Sequence, residues 1–169
     1  MKYMDMKYFT ISYTVKGMIR EVFDYVVDVV RLHEELKWFG KGKLATNDLS
    51  PTSIGKKYTV LVGASGDSVE TTIEVIKIDP PHSIEMSYNY RTLKRNGSSK
   101  DGCLLPWESM RCVLDFKESN GKTTVTTNMY ANGVDSLWKR VMTRIFSYIN
   151  WLQQWSAVNR IKNRIESTI

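Results

Sequence analysis

The chain has 169 residues, 42% of them apolar and 25% charged, enough for one domain with a substantial core and too few for two. This composition excludes a disordered tail and a collagen-like repeat. Lys and Arg exceed Asp and Glu by six, and the excess is local: residues 1–90 hold 11 basic against 12 acidic side chains, residues 91–169 hold 13 against 6. The basic residues fall in a loop (Arg91, Lys94, Arg95, Lys100) and in the last segment (Lys139, Arg140, Arg144, Arg160, Lys162, Arg164). No basic run is interleaved with stacking aromatics, so no specific nucleic-acid partner is expected, while weak contact with an anionic membrane surface is a secondary expectation. No apolar run is long enough to span a bilayer and Met1–Tyr8 builds no leader core, which with only Cys103 and Cys112 makes a reducing, cytoplasmic location the expectation.

Phe9, Ile11, Tyr13 and Val15 alternate with Thr10, Ser12 and Thr14, the period of a strand with one buried face. Past Gly17 the period changes: Ile19, Val22, Phe23, Val26, Val27 and Val30 fall at helical spacing to about Leu36, with a break into two short helices expected near Arg31. Gly40 and Gly42 stop that segment. A short strand over 43–46 precedes a turn at 47–51. A strand meander follows. Its first pair is Tyr58, Val60 and Val62, then Val69, Thr71, Ile73 and Val75, joined across the Gly63–Asp67 turn. Asp79-Pro80-Pro81 breaks the chain before Ile84, Met86, Tyr88 and Tyr90. Beyond the basic loop come Met110, Cys112, Leu114 and Phe116, a Ser119-Asn120-Gly121-Lys122 turn, then Val125, Thr127 and Met129. The strands number seven. Residues 134–169 contain neither Pro nor Gly and predict one helix of roughly 50 Å, with Asp135 in its cap region. Val134, Leu137, Trp138, Val141, Ile145, Tyr148, Ile149, Leu152, Trp155, Ile161 and Ile165 form its apolar stripe, predicted to pack on the sheet.

Strand, short helices, antiparallel meander and long terminal helix make an α+β domain over 1–169. Its curved seven-stranded antiparallel sheet wraps around the C-terminal helix, with two short helices after strand one. This order, together with Val22-Phe-Asp-Tyr-Val-Val-Asp28, Ile54-Gly55, Asp79-Pro80-Pro81 and Gly121-Lys122-Thr123-Thr124-Val125, resembles the START-like helix-grip superfamily (SRPBCC) in its polyketide cyclase/dehydrase and lipid-transport branch. The resemblance covers about residues 7–168. It implies a hydrophobic cavity between sheet and long helix that takes a lipid-like or polyketide-like small molecule, and no single reaction. The stretch from Arg91 to Pro106 is longer than in the commoner short members.

Catalytic signatures are weak. Gly63-Ala64-Ser65-Gly66-Asp67 lacks the last glycine and the following helix of a nucleophile elbow, and Gly121-Lys122-Thr123 is a hairpin turn rather than a phosphate loop. His33 and His82 have no partner at ligand spacing, so no metal and no cofactor are expected. Strand parity and the helical stripe give the candidate ligand-binding set: Tyr58, Val60, Ile73, Met86, Tyr88, Tyr90, Glu108, Met110, Cys112, Leu114, Trp138, Ile145, Ile149 and Leu152. The same side chains would equally fill a core. Glu108 shares parity with Met110 and Cys112 and is the one acid–base candidate, its alternative being a strand-end carboxylate in water. The expected function is noncatalytic binding or transport of a hydrophobic molecule; the alternative is a polyketide cyclase/aromatase or dehydratase working through a cavity acid–base residue. Monomer and homodimer both fit.

Overall fold

A computed structural model describes residues 6–36, 43–45, 50–63, 68–93, 99–101 and 105–168. The elements run β1 (Met6–Lys16), α1 (Ile19–Val26), α2 (Val29–Leu36), β2 (Lys43–Leu44), β3 (Lys57–Gly63), β4 (Ser68–Asp79), β5 (Ser83–Leu93), β6 (Ser99–Asp101), β7 (Ser109–Ser119), β8 (Lys122–Asn132) and α3 (Leu137–Thr168). The sheet path is β1-β8-β7-β5-β4-β3-β2, antiparallel throughout, with β6 pairing β5 off that path. The seven-stranded sheet of a helix-grip fold is therefore present, and the short β6 is an addition from the basic loop. Gly40 and Gly42, residues 46–49 of the predicted strand end and turn, residues 64–67 of the predicted hairpin turn, and Lys94, Arg95 and Cys103 lie outside the described residues.

Local chemistry explains the joints. Asn120 and Gly121 both take positive φ (54° and 68°), the conformation in which a two-residue turn matches the twist of β7 and β8. The α1–α2 break comes at Val27–Asp28, earlier than Arg31, because the Asp28 carboxylate accepts from the Arg31 backbone N–H (3.0 Å) and caps α2. At the start of α1, Glu21 accepts from the Met18 N–H (3.3 Å) and Glu118 of β7 from the Ile19 N–H (2.8 Å), so two orphan donors are met, one of them from across the fold. Ser136, not Asp135, caps α3: its hydroxyl accepts from the Lys139 N–H at 3.3 Å. Asp135 instead pairs with the Lys139 ammonium at 3.0 Å, and that hydrogen bond lowers its pKa.

The long helix corrects one expectation. Its buried residues are Thr143, Ala157, Val158, Ile161 and Ile165, and its main sheet contact is with β1. Leu137, Trp138, Val141, Ile145, Tyr148, Ile149, Leu152 and Trp155 are exposed. Ile145 stands two residues from both Thr143 and Ser147, roughly 200° around a helix of 3.6 residues per turn, so the apolar stripe of the first half faces away from the sheet. The inward stripe there is small and polar because the helix bonds directly to β1: Ser147 Oγ donates to the Tyr8 carbonyl, and Asn150 Nδ2 donates to the Tyr8 hydroxyl at 2.5 Å. The second half joins the apolar core through Val158, Ile161 and Ile165, and from the first half Phe146 and Trp151 pack against the core at its margin.

Candidate functional site

The register gathers the predicted strand residues in adjoining rows on one face. Tyr58 opposes Ile73, Ile73 opposes Tyr88, and Tyr88 opposes Met110. Met86 opposes Cys112 in the neighbouring row. Directly opposed side chains share a face, so the period-2 reading placed these correctly. What fills the space before them is mostly protein. Tyr58, Val60, Ile73, Met86, Cys112 and Leu114 pack with Val158, Ile161 and Ile165 of α3. Met110 joins Tyr8, Trp107, Ala131 and Val134 in a second cluster against which Tyr88, Tyr90 and Phe146 pack. Trp138, Ile145, Ile149 and Leu152 stand outside, on the far face of α3. Glu108 is exposed, so the parity argument does not carry it inward; it precedes β7, and its side chain lies across Gly133, where an added Cβ would come within 2.5 Å of it.

A cavity of about 410 Å³ opens at the end of the grip closed by the short helices. Phe23 and Val27 of α1 and its C-terminal turn, Val30 of α2, and Tyr58, Ile78 and Pro80 from the sheet give its apolar wall; Arg20, Asp24, Asp28, Ser50, Pro51 and Thr52 complete it. One hydroxyl pair fixes the wall. Thr52 Oγ1 donates to the Val27 carbonyl at 2.8 Å and lies 2.8 Å from the Tyr58 hydroxyl, so the single Thr52 proton is committed and Tyr58 donates to Thr52. Lys56, buried, bonds Ser50 through its ammonium (3.3 Å to Oγ) and lies 5.2 Å from the centre of the Tyr58 ring, a cation over an aromatic face. Two of the charges at the cavity are engaged with each other, Arg20 with Asp24 at 3.0 Å, while Asp28 caps α2. The wall is thus mixed, apolar surface from Phe23, Val27, Val30, Ile78 and the prolines lying beside a roughly equal share of polar surface from Arg20, Asp24, Asp28, Ser50 and Thr52. Of the predicted set, Tyr58 alone lines it. Sequence pattern pointed to the sheet and missed Phe23, Val27 and Val30, although the helical spacing that placed them on a buried face was legible.

Burial also governs the interior ionisable groups. Tyr88 hydrogen-bonds Cys112; desolvation pushes the Cys112 thiol up to about 12, that bond pulling slightly the other way, and pushes Tyr88 well above its ordinary value. Both are therefore protonated near neutrality, and Cys112 is a packing residue rather than a thiolate nucleophile. Nearby, Trp107 stacks edge-on with Tyr8 (5.0 Å) and Phe146 (5.9 Å). The Trp107 indole N–H and the Thr143 hydroxyl are buried with no protein partner. Among the described residues no cluster of His, Cys, Asp or Glu is arranged to hold a metal ion. His82 is exposed.

The family model for Activator of Hsp90 ATPase homolog 1-like proteins matches residues 18–158. The chain belongs to that family. The AHSA1-like domain lies within the SRPBCC superfamily whose element order the sequence carries. No curated protein matches the chain. Solved structures share the fold of this AHSA1-like protein at low identity. They include a protein from Arthrobacter aurescens (12% identity, 95% of this chain and 86% of that one, TM-score 0.65). A conserved protein from Geobacillus kaustophilus is 18% identical over 94% of this chain and 95% of that one, with a TM-score of 0.62. DynU16, a putative protein in the dynemicin biosynthetic locus, is 18% identical with a TM-score of 0.55; the match covers 94% of this chain and 47% of DynU16.

Proposed function

We propose that this AHSA1-like protein is a noncatalytic binder or carrier of a hydrophobic small molecule, held in the cavity between α1, α2, residues 50–52 and the β4–β5 turn. The observation that carries this reading is the cavity itself: about 410 Å³ lies within the range of small-ligand sites, with an apolar side from Phe23, Val27, Val30 and Ile78 and a polar side whose groups are bonded within the protein, Thr52 with Tyr58 and Val27, Arg20 with Asp24 and Asp28 with the α2 N-terminus. The superfamily's binding of hydrophobic molecules agrees with it. Candidates Val60, Ile73, Met86, Cys112 and Leu114, in one cluster with Tyr58, then back the wall rather than touch the guest, and Met110 belongs to the separate cluster around Trp107. A polyketide cyclase or dehydratase, the alternative, needs an acid–base group beside its substrate; Glu108 lies at the surface, and the two carboxylates at the cavity are engaged, Asp24 with Arg20 and Asp28 with the α2 N-terminus.

Titration with an apolar fluorescent probe such as 1-anilinonaphthalene-8-sulfonate tests the assignment. Val30→Trp, at a half-buried lining position, fills the cavity and lowers saturable probe affinity tenfold or more, whereas Glu108→Gln leaves it unchanged. Undiminished binding by a folded Val30→Trp protein overturns this site.

A further inference from the structure

We infer that the outward face of α3 seats the protein on an anionic lipid surface, the helix lying flat in the headgroup layer. Leu137 and Trp138 are 79% and 70% exposed and Tyr148 is 65% exposed, and Val141, Ile145, Ile149, Leu152 and Trp155 continue the same face. All eight residues on this face are 44% to 79% exposed, a contiguous run of large apolar and aromatic side chains of the kind that marks an interaction surface on a monomer. The stripe from Leu137 to Trp155 runs about 27 Å along the helix, with two tryptophans and a tyrosine, the residues that favour the membrane–water boundary.

Charge chooses the occupant. Arg140 and Arg144 lie along one border of the stripe and Arg160 along the other, all exposed. Between residues 136 and 165 the sequence contains no Asp or Glu, and Glu166 accepts from the Lys16 backbone N–H at the far end. A second copy docked helix to helix would bring those arginines together with no carboxylate between residues 136 and 165 of either helix to meet them, whereas anionic headgroups supply the missing charge. Among the described residues no helix is long and apolar enough to cross a membrane, and α3 has its opposite face bonded to β1, so this contact is with the surface.

The inference stands apart from the cavity reading, because vesicle binding is read without any guest. The experiment is co-flotation of the full chain with vesicles of phosphatidylcholine alone or containing phosphatidylglycerol, at low and moderate salt. Binding is expected to phosphatidylglycerol vesicles at low salt, with a tryptophan emission blue shift, and to weaken as salt rises. Arg140→Gln/Arg144→Gln lowers the affinity roughly tenfold or more, at about 1 kcal/mol per basic residue near such a surface. Ile149→Asp abolishes binding while thermal unfolding is preserved. Absence of binding at low salt, or equal binding to pure phosphatidylcholine, overturns the inference. So does a dimer that Ile149→Asp splits, seen by sedimentation in a protein that ignores vesicles, which assigns the face to a second copy.

Discussion

At the scale of single residues, the Thr52–Tyr58 pair has the most direct consequence. Thr52→Val removes the acceptor for a phenol hydroxyl whose residue is 1% exposed and the donor for the Val27 carbonyl. The expected cost is about 1–3 kcal/mol, read in a thermal melt as a fall of several degrees, together with weaker probe binding. Thr143→Val acts the opposite way. Its hydroxyl is buried with no protein partner, so deleting it leaves the melting temperature unchanged or raises it. Cys112 and Tyr8 have pKa values raised to about 12 by burial, from 9.0 and 10.0, and those of Tyr13 and Tyr88 are raised too. Groups held protonated by folding contribute fully below their unfolded values, and that stability is lost as pH rises through the folded ones. Denaturant midpoints are therefore expected to fall from pH 9 upward, while tyrosine absorbance near 295 nm lags behind that of the unfolded chain. These effects were beyond the sequence: it placed Cys112 and Tyr88 on one face, but which hydroxyl meets which acceptor depends on the register between strands far apart in the chain.

At the scale of elements, α3 has two unlike faces and its substitutions divide accordingly. Ile161→Ala hollows a core position and costs about 2–5 kcal/mol, whereas Ile145→Asn on the outer face changes stability by less than about 1 kcal/mol; urea melts of the two variants make the comparison. A deep loss in both would return the outer stripe to the core. Periodicity identified the helix and its stripe, but a helical period says that apolar residues share a face and not which face meets the sheet. Here Thr143, Ser147 and Asn150 stand inward beside Phe146, and they are small or polar because the helix bonds to the Tyr8 backbone and hydroxyl, a pattern hard to tell in sequence from a solvent-facing side. The β8–α3 joint is similarly specific. Gly133 has φ +75°, and an added Cβ would meet Glu108 at 2.5 Å, so Gly133→Ala is expected to destabilise by about 1–2 kcal/mol. Glu108→Ala in the same chain relieves the clash and recovers part of that loss.

At the scale of the molecule, the antiparallel meander was legible because its strands alternate and its turns carry Gly or Pro, whereas the pairing of β1 with β8 joins strands more than a hundred residues apart that alternation alone does not match. The place of the cavity was not legible either. Side chains facing a curved sheet read the same whether they line a void or fill one, and here Val158, Ile161 and Ile165 of α3 belong to the core cluster with the sheet residues. Space remains beside the short helices, where Val27 and Val30, Thr52, and Ile78 converge from three separate stretches of the chain. The central claim is that this space holds an apolar guest. Native mass spectrometry of the purified chain beside Val30→Trp, with extraction of whatever denaturation releases, tests it most directly. The prediction is an apolar molecule of defined mass on the parent chain and its loss from Val30→Trp. The same adduct retained at equal occupancy by both proteins would contradict it.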